Sequence, residues 1–235
     1  MIDLKQGDCL ELMKNIEDNS IDLIVTDPPY KITQRGNYGT FGGMMKTKQS
    51  MKGKIFKEND IDIKDYIKEL YRILKDSTHC YIMTNDKNLL DYMNAITNAG
   101  FYITKLLIWN KKNTICCQFY MTSKEYIIFC RKGKAKGIKK CGTKDIIEIP
   151  NKKTKIDGKN IHDTEKPVDL MKILIENSSS ENEIVFDPFM GVGSTGIACK
   201  ELNRNFIGIE LDKQYFDIAK ERIEKEELKE IKETK

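Results

Sequence analysis

The chain of 235 residues carries 40 Lys+Arg against 36 Asp+Glu, a net charge of +4, and 40% of it is apolar. That suffices for the core of one domain or one and a half and is too apolar for a disordered chain, while no run approaches the roughly 18 apolar residues of a membrane span. The opening Met1–Lys5 offers no apolar stretch for a secretory signal, and seven cysteines without a CxxC pair, beside only two histidines, exclude a clustered zinc site and a disulfide framework, so a cytoplasmic protein is expected.

Along the chain, Leu10, Met13 and Ile16 stand at helical spacing from Asp8 onward. Ile21–Thr26 reads as a strand. It must stop at Asp27-Pro28-Pro29-Tyr30, because two prolines cannot continue a strand ladder. Residues 31–57 are Gly-rich and hold seven basic residues and no acid, which predicts a loop. Ile63, Ile67, Leu70, Ile73 and Leu74 form one helical face, Cys80–Met83 a strand, and Leu89–Ala99 a helix closed by Gly100. Phe101–Trp109 and Glu125–Cys130 read as strands. Residues 131–160, with eleven basic residues and three acids, form a second basic loop. Val168–Ile175 is a helix after Pro167, Glu183–Phe186 a strand ending in Asp187-Pro188-Phe189, Ser194–Leu202 a helix, Phe206–Ile209 a strand and Gln214 onward a long, solvated helix. The alternation predicts an α/β fold: a mostly parallel twisted sheet with helices on both faces and right-handed crossovers.

The two basic loops together carry +15, which leaves −11 on the rest of the chain. Basic loops on an acidic body point to a polyanionic partner. Only five of the 40 basic residues are Arg, so a general lysine bias also accounts for part of the pattern.

Gly191-Val192-Gly193-Ser194-Thr195-Gly196 fits G-x-G-x-x-G between a strand and a helix, the context of a nucleotide-binding turn. The following strand ends at Glu210, where a carboxylate can accept hydrogen bonds from both ribose hydroxyls. Asp187-Pro188 before the glycines, and the position of the unit near the end of the chain, favour S-adenosylmethionine over a dinucleotide. The tetrapeptide at 27–30 suits transfer of a methyl group to an exocyclic base amine, whose lone pair is delocalised into the ring. Asp27 and the Pro28 carbonyl would each accept one N–H and draw the nitrogen toward tetrahedral geometry. Pro29 stiffens the turn, and Tyr30 offers a face for a base swung out of the helix. Such catalysis is positioning for in-line transfer and needs no metal.

With these motifs over nearly its whole length, the chain resembles the amino-methylating DNA methyltransferases, in the circularly permuted group whose catalytic tetrapeptide precedes the cofactor loop. The resemblance implies a Rossmann-like S-adenosylmethionine-dependent fold and one methyltransferase domain over 1–235, with 31–57 and 131–160 as insertions. It implies that Asp27, Pro28, Pro29 and Tyr30 are catalytic. Asp8 and Cys9, Asp27, Lys166, Asp187, Phe189, Gly191, Gly193, Ser194, Thr195 and Glu210 would hold the cofactor. Trp109-Asn110-Lys111 and Glu125–Phe129 resemble the segment that helps build the target-base pocket. His162-Asp163-Thr164-Glu165-Lys166-Pro167 resembles the element beside the cofactor's methionine part, with Asp163 where the family pattern has Pro.

Asp at the head of the tetrapeptide resembles adenine-N6 enzymes, while Ser goes with cytosine N4, so adenine is the expected base. Double-stranded DNA is the expected partner. Lys31, Arg35, Lys46 and Lys48 would contact it from the first loop, and Lys134, Lys136, Lys139 and Lys140 from a short recognition segment in the second. A homodimer and a restriction endonuclease partner stay open. So do cytosine-N4 transfer, a methylase of RNA or protein amides, a non-catalytic DNA-binding protein on the same fold and, on the glycine loop alone, a nicotinamide dehydrogenase.

Overall fold

The structure, a computed structural model, describes residues 1–29, 61–115, 120–151, 155–156, 159–160 and 165–233. In chain order the elements are β1 (Ile2–Gln6), α1 (Cys9–Met13), β2 (Ile21–Thr26), α2 (Ile63–Ile73), β3 (Leu74–Thr84), α3 (Leu89–Asn98), β4 (Tyr102–Ile115), β5 (Thr122–Arg131), β6 (Ile146–Glu148), β7 (Lys155–Ile156), β8 (Lys159–Asn160), α4 (Val168–Ser178), β9 (Ile184–Asp187), α5 (Ser194–Glu201), β10 (Asn205–Glu210) and α6 (Lys213–Glu233).

Eight strands form one sheet in the order β1-β10-β9-β2-β3-β5-β4-β6, and β7 and β8 pair separately. Every pairing in the large sheet is parallel except those of β5 with β3 and β4. The apolar periodicities become two cores. Cys9, Met13, Tyr66, Ile67, Leu70, Tyr92 and Ile96 bury α1–α3 against one face. Leu170, Leu174, Ile197, Ala198, Ala219 and Ile223 bury α4–α6 against the other. The three-layer α/β architecture is the one expected from the alternation of elements.

Three boundaries differ from expectation. The first helix ends at Met13 rather than near Ile16. β3 starts at Leu74, which the periodicity assigned to the preceding helix, because Leu74 is already extended (ψ 135) and pairs with Ile21. The β4–β5 hairpin is longer than the apolar runs within it. Asn110 pairs with Lys124 and Ile115 with Thr122, so polar residues continue the ladder where apolar alternation has ended.

The topology fixes the place of any site. From β9 the chain crosses through α5 to β10 on one side, and from β2 through α2 to β3 on the other. β9 and β2, side by side and parallel, therefore flank the point where the strand order reverses. In open α/β sheets, ligands bind in the crevice outside the carboxyl ends of such strands.

Candidate active site

The carboxyl ends of β2 and β9 are joined by a buried bracket. Thr26 donates its hydroxyl to Asp187 Oδ1 at 2.8 Å, Thr195 donates to Oδ2 at 2.8 Å, and the Phe189 N–H reaches Oδ1 at 3.1 Å. Burial pushes the Asp187 carboxyl up to about 7 against the pull of these donors. The sequence pattern placed Asp187 and Thr195 against a cofactor. In the fold both lie inside, 3% and 4% exposed, with their polar atoms engaged by each other and by Thr26. They hold the glycine loop at the end of β2.

Two glycines of the loop do different work. Gly191 (φ 53) and Gly193 (φ 84) turn the backbone through the left-handed region. A Cβ at Gly191 would enter open space, whereas one at Gly193 would press on Ala219 and Ile223 of α6 at 3.1–3.2 Å. Gly191 thus presents bare backbone to the crevice, while Gly193 is small so that α6 can close in. Glu210, at the end of β10, spans the loop: Oε2 accepts the Gly191 N–H and Oε1 the Asp212 N–H, both at 2.9 Å. Burial pushes its carboxyl up. The Gly7 N–H bonds to the Glu210 carbonyl at 3.0 Å, bringing Asp8 and Cys9 to the same rim. Asp8 caps α1 through the Leu10 and Glu11 N–H groups, and burial pushes the Cys9 thiol up to about 12, so it stays protonated. Phe189 meets the Tyr66 ring edge-on at 5.1 Å. The Ser194 hydroxyl, at the start of α5, is buried without a hydrogen-bond partner.

Beside the loop lies a charged cluster. Lys166 donates to Asp27 Oδ2 and stands 3.5 Å from Glu125 Oε2, while Lys111 holds Glu125 Oε1 at 2.5 Å. Burial pushes the Asp27 carboxyl up, opposed by the Lys166 charge. Burial works the same way on Glu125, but Lys166 and Lys111 outweigh it and hold that carboxyl low. Asp27 Oδ1 is buried and has no hydrogen-bond partner. Lys166, expected at the cofactor, places its ammonium on the tetrapeptide's carboxylate. Lys111 and Glu125 were visible only as part of a pocket-building segment. The signal for them was a charged residue on each strand close to Trp109, which is buried and pairs with Glu125.

The rim is clipped from behind. Arg222 of α6 donates to the Val192 carbonyl at 2.6 Å and to Glu165 Oε1 at 2.7 Å, tying the glycine loop to the residue before Lys166.

Tyr30, Lys31, Arg35, Lys46, Lys48 and residues 161–164 lie outside the described residues. Lys134, Lys136, Lys139 and Lys140 are described, and they do not flank the site. Lys139 donates to the Ser179 carbonyl at 2.7 Å and Lys140 to Glu176 at 2.7 Å, at the far end of α4. The Lys136 carbonyl meets His79 Nε2 at 2.9 Å. Lys166 precedes the start of that helix, so its eleven residues put about 16 Å between the two groups at 1.5 Å per residue. These four lysines are expected on DNA from a short recognition segment; the structure places them away from the tetrapeptide, because orphan carbonyls at the end of α4 draw this loop to the amino end of the sheet. The segment returns only later, where the Asn151 N–H bonds to the Lys111 carbonyl. Among the described residues, no three His, Cys, Asp or Glu side chains converge, and no helix is long and apolar enough to cross a membrane.

The sequence profile of the DNA methylases that modify N6 or N4 amines matches residues 21–221. The chain is 32% identical to the type II methyltransferase M.HinfI of Haemophilus influenzae, over 93% of this chain and 67% of that protein. It is 31% identical to M2.MboI of Moraxella bovis, over 92% of this chain and 85% of that protein. Among solved structures, the M1.HpyAVI–SAM complex superposes with a TM-score of 0.68 at 27% identity, over 94% of this chain and all of that one. The cytosine-N4-specific PvuII DNA methyltransferase superposes with a TM-score of 0.73 at 15% identity, over 94% and 86%, a likeness of fold.

Proposed function

The chain belongs to the N6/N4 DNA methylase family, and on that premise we propose that it transfers a methyl group from S-adenosylmethionine to the exocyclic N6 amine of adenine in a specific duplex sequence. The residues present suit that group. Gly191 leaves open space beside its backbone, Glu210 keeps lone pairs for ribose hydroxyls, and the Ser194 hydroxyl is buried and unpartnered. When bound, S-adenosylmethionine supplies an electrophilic methyl carbon on a sulfonium.

The observation that carries the reading is Asp27 Oδ1, a buried acceptor without a partner at the end of β2, beside the switch point. It accepts one N–H of a flipped-out amine, and the Pro28 carbonyl accepts the other. The amine nitrogen then turns its lone pair toward the methyl carbon, and after transfer it sheds its surplus proton by way of Asp27. Holding the reacting atoms in line accounts for most of the catalysis. DNA comes to the carboxyl end of the sheet, where Tyr120 and Met121 of the β4–β5 connection are exposed (93% and 58%).

A cytosine-N4 specificity is the second reading, favoured by the shared fold of a cytosine-N4 enzyme. The test is incubation with S-adenosylmethionine and unmethylated DNA, then digestion and mass spectrometry of the nucleosides. N6-methyladenine is expected. N4-methylcytosine overturns the base assignment, and no modified base despite cofactor binding overturns the transferase reading in favour of a non-catalytic binder. Asp27→Ala should lower transfer about 1000-fold, as for loss of a preorganised polar contact at the reacting atoms, with cofactor affinity retained.

A further inference from the structure

Asp27 does not stand alone. Lys111, Glu125, Lys166 and Asp27 interlock from four parts of the chain, with side chains only 11%, 14%, 7% and 21% exposed. Two cations and two carboxylates make a neutral island, which a low-dielectric setting tolerates far better than an odd charge. A lysine ammonium is a point charge on a flexible four-carbon stem, so one contact with one carboxylate leaves both free to swing. Here the stem is fixed from both sides: Lys166 donates to Asp27 Oδ2 and faces Glu125 Oε2 at 3.5 Å, and Glu125 is itself anchored by Lys111 at 2.5 Å. The oxygen that this chain of contacts leaves open is Asp27 Oδ1.

We infer that Glu125 is a positioning residue for methyl transfer: it holds Lys166 between two carboxylates and so keeps Asp27 Oδ1 aimed at the target amine. The inference rests on the transferase reading above. If Glu125 served only to pair Lys111 across the hairpin, its second oxygen would have no reason to face Lys166.

The titratable and charged groups around Asp27 are Lys166, Glu125, Lys111, Asp187, Tyr66 and Tyr92. The Glu125 charge raises the Asp27 carboxyl, and the Lys111 charge lowers it. Glu125→Gln therefore moves the acid limb of kcat to lower pH, and Lys111→Gln moves it to higher pH. Loss of alignment in Glu125→Gln lowers kcat about 100-fold with KM for DNA little changed. A purely structural Glu125 lowers the melting temperature and leaves kcat of the folded variant unchanged at the pH optimum.

A second readout needs no turnover. In 15N-lysine spectra of the protein without cofactor, the Lys166 ammonium, held by two carboxylates, gives an exchange-protected signal. The Lys132 ammonium, held by the Tyr71 and Leu74 carbonyls at 2.7 and 2.8 Å, is the control for folding. In Glu125→Gln the Lys166 signal should vanish while that of Lys132 stays. A persisting Lys166 signal overturns the inference, as does an unchanged kcat in folded Glu125→Gln. Should Glu125→Gln not fold, Lys111→Gln decides: with Glu125 no longer anchored from the other side, the Lys166 signal should weaken, and an unchanged signal overturns the inference. A wild-type chain that transfers no methyl overturns the transferase reading, and the ammonium spectra still report whether Glu125 holds Lys166.

Discussion

The two ends of the sheet hold similar inventories of lysines, carboxylates and hydroxyls and treat them in opposite ways. At the amino end, among the described residues, no buried side-chain nitrogen or oxygen lacks a partner. Lys132 donates to the Tyr71 and Leu74 carbonyls and to Asn19, Lys139 to the Ser179 carbonyl and Ser180, and Arg204 to the Ser179 carbonyl. His79, 2% exposed, sits between Ser178 and the Lys136 carbonyl at 2.9 Å each, and Tyr81 meets the same serine at 2.7 Å. At the carboxyl end four buried oxygens have no hydrogen-bond partner, Asp27 Oδ1, Thr84 Oγ1, Asn151 Oδ1 and Ser194 Oγ, and a fifth, Glu125 Oε2, has no hydrogen bond but faces the Lys166 ammonium at 3.5 Å. Among the described residues these are all such atoms, and each stands at or beyond a strand's upper edge. Buried polar groups are normally satisfied. A cluster of exceptions confined to one end of one sheet is the mark of a ligand that completes them. Basic charge located loops here; unsatisfied acceptors located the site.

The comparison breaks most visibly if the ends respond alike to substitution. At the amino end, Lys132→Met removes the cation that satisfies the last carbonyls of α2 and should cost about 2–3 kcal/mol of stability, the range for hydrogen bonds to a charged group left unmade. It should leave kcat unchanged. Urea unfolding and a methyl-transfer assay on the same preparation check both halves, and a large loss of kcat in folded protein would put the amino end into the mechanism.

Acidity separates the ends by sign. Burial holds His79 below its ordinary 6.5, so the unfolded chain gains a proton before the folded one does. Its contribution is complete above 6.5 and is lost as pH falls below it. Asp187 runs the other way. Its carboxyl, raised from 3.8 to about 7, is bound to a proton in the fold where the unfolded chain has released it, so its contribution is complete below 3.8 and is lost as pH rises toward 7. His79→Gln should flatten the acid side of a stability–pH curve, and Asp187→Asn should remove the decline toward neutrality. Chemical denaturation across pH 4–8 measures both slopes.

A smaller effect is expected where an acceptor is already unpartnered. Ser194→Ala removes a hydroxyl that bonds to nothing in the protein, so the melting temperature should hold or rise slightly. If that hydroxyl meets the cofactor, affinity for S-adenosylmethionine should fall by about 1 kcal/mol, roughly fivefold, by calorimetry. Unchanged affinity with lower stability would make Ser194 an ordinary part of the core.

Much of the site was legible because it is local in sequence. A strand that runs into two prolines and a strand that runs into a glycine turn each announce their own ends, and both turned out to lie at the same switch point. The rest depends on contacts between distant residues. Nothing in the motif tells that Asp187 is also bonded by Thr26, 161 residues earlier. Nor does it tell that α6 packs beside Gly193. Lys111 and Glu125 carry no motif of their own, since a strand with polar residues looks like a loop until its partner's register is known. The path of the lysines after Arg131 is set by carbonyls at the end of a helix some 40 residues further on, and nothing in the charge pattern carries that information.

Those lysines give the finest test, because the expected effect is none. Replacing Lys134, Lys136, Lys139 and Lys140 together by Ala removes four positive charges. If they met phosphate, the slope of log affinity against log salt would shrink by nearly one per contact, about three to four in all. Their place beside the end of α4, some 16 Å from the level of Lys166 and Asp27, predicts that the slope does not change. Stability should drop by about 1 kcal/mol from the lost bonds of Lys139. The exposed Lys140–Glu176 pair adds little. Fluorescence anisotropy with labelled duplex across 50–300 mM salt reads the slope directly. A slope reduced by two or more would mean that DNA wraps from the carboxyl end down the side of α4, and the separation between a binding end and a structural end would be lost.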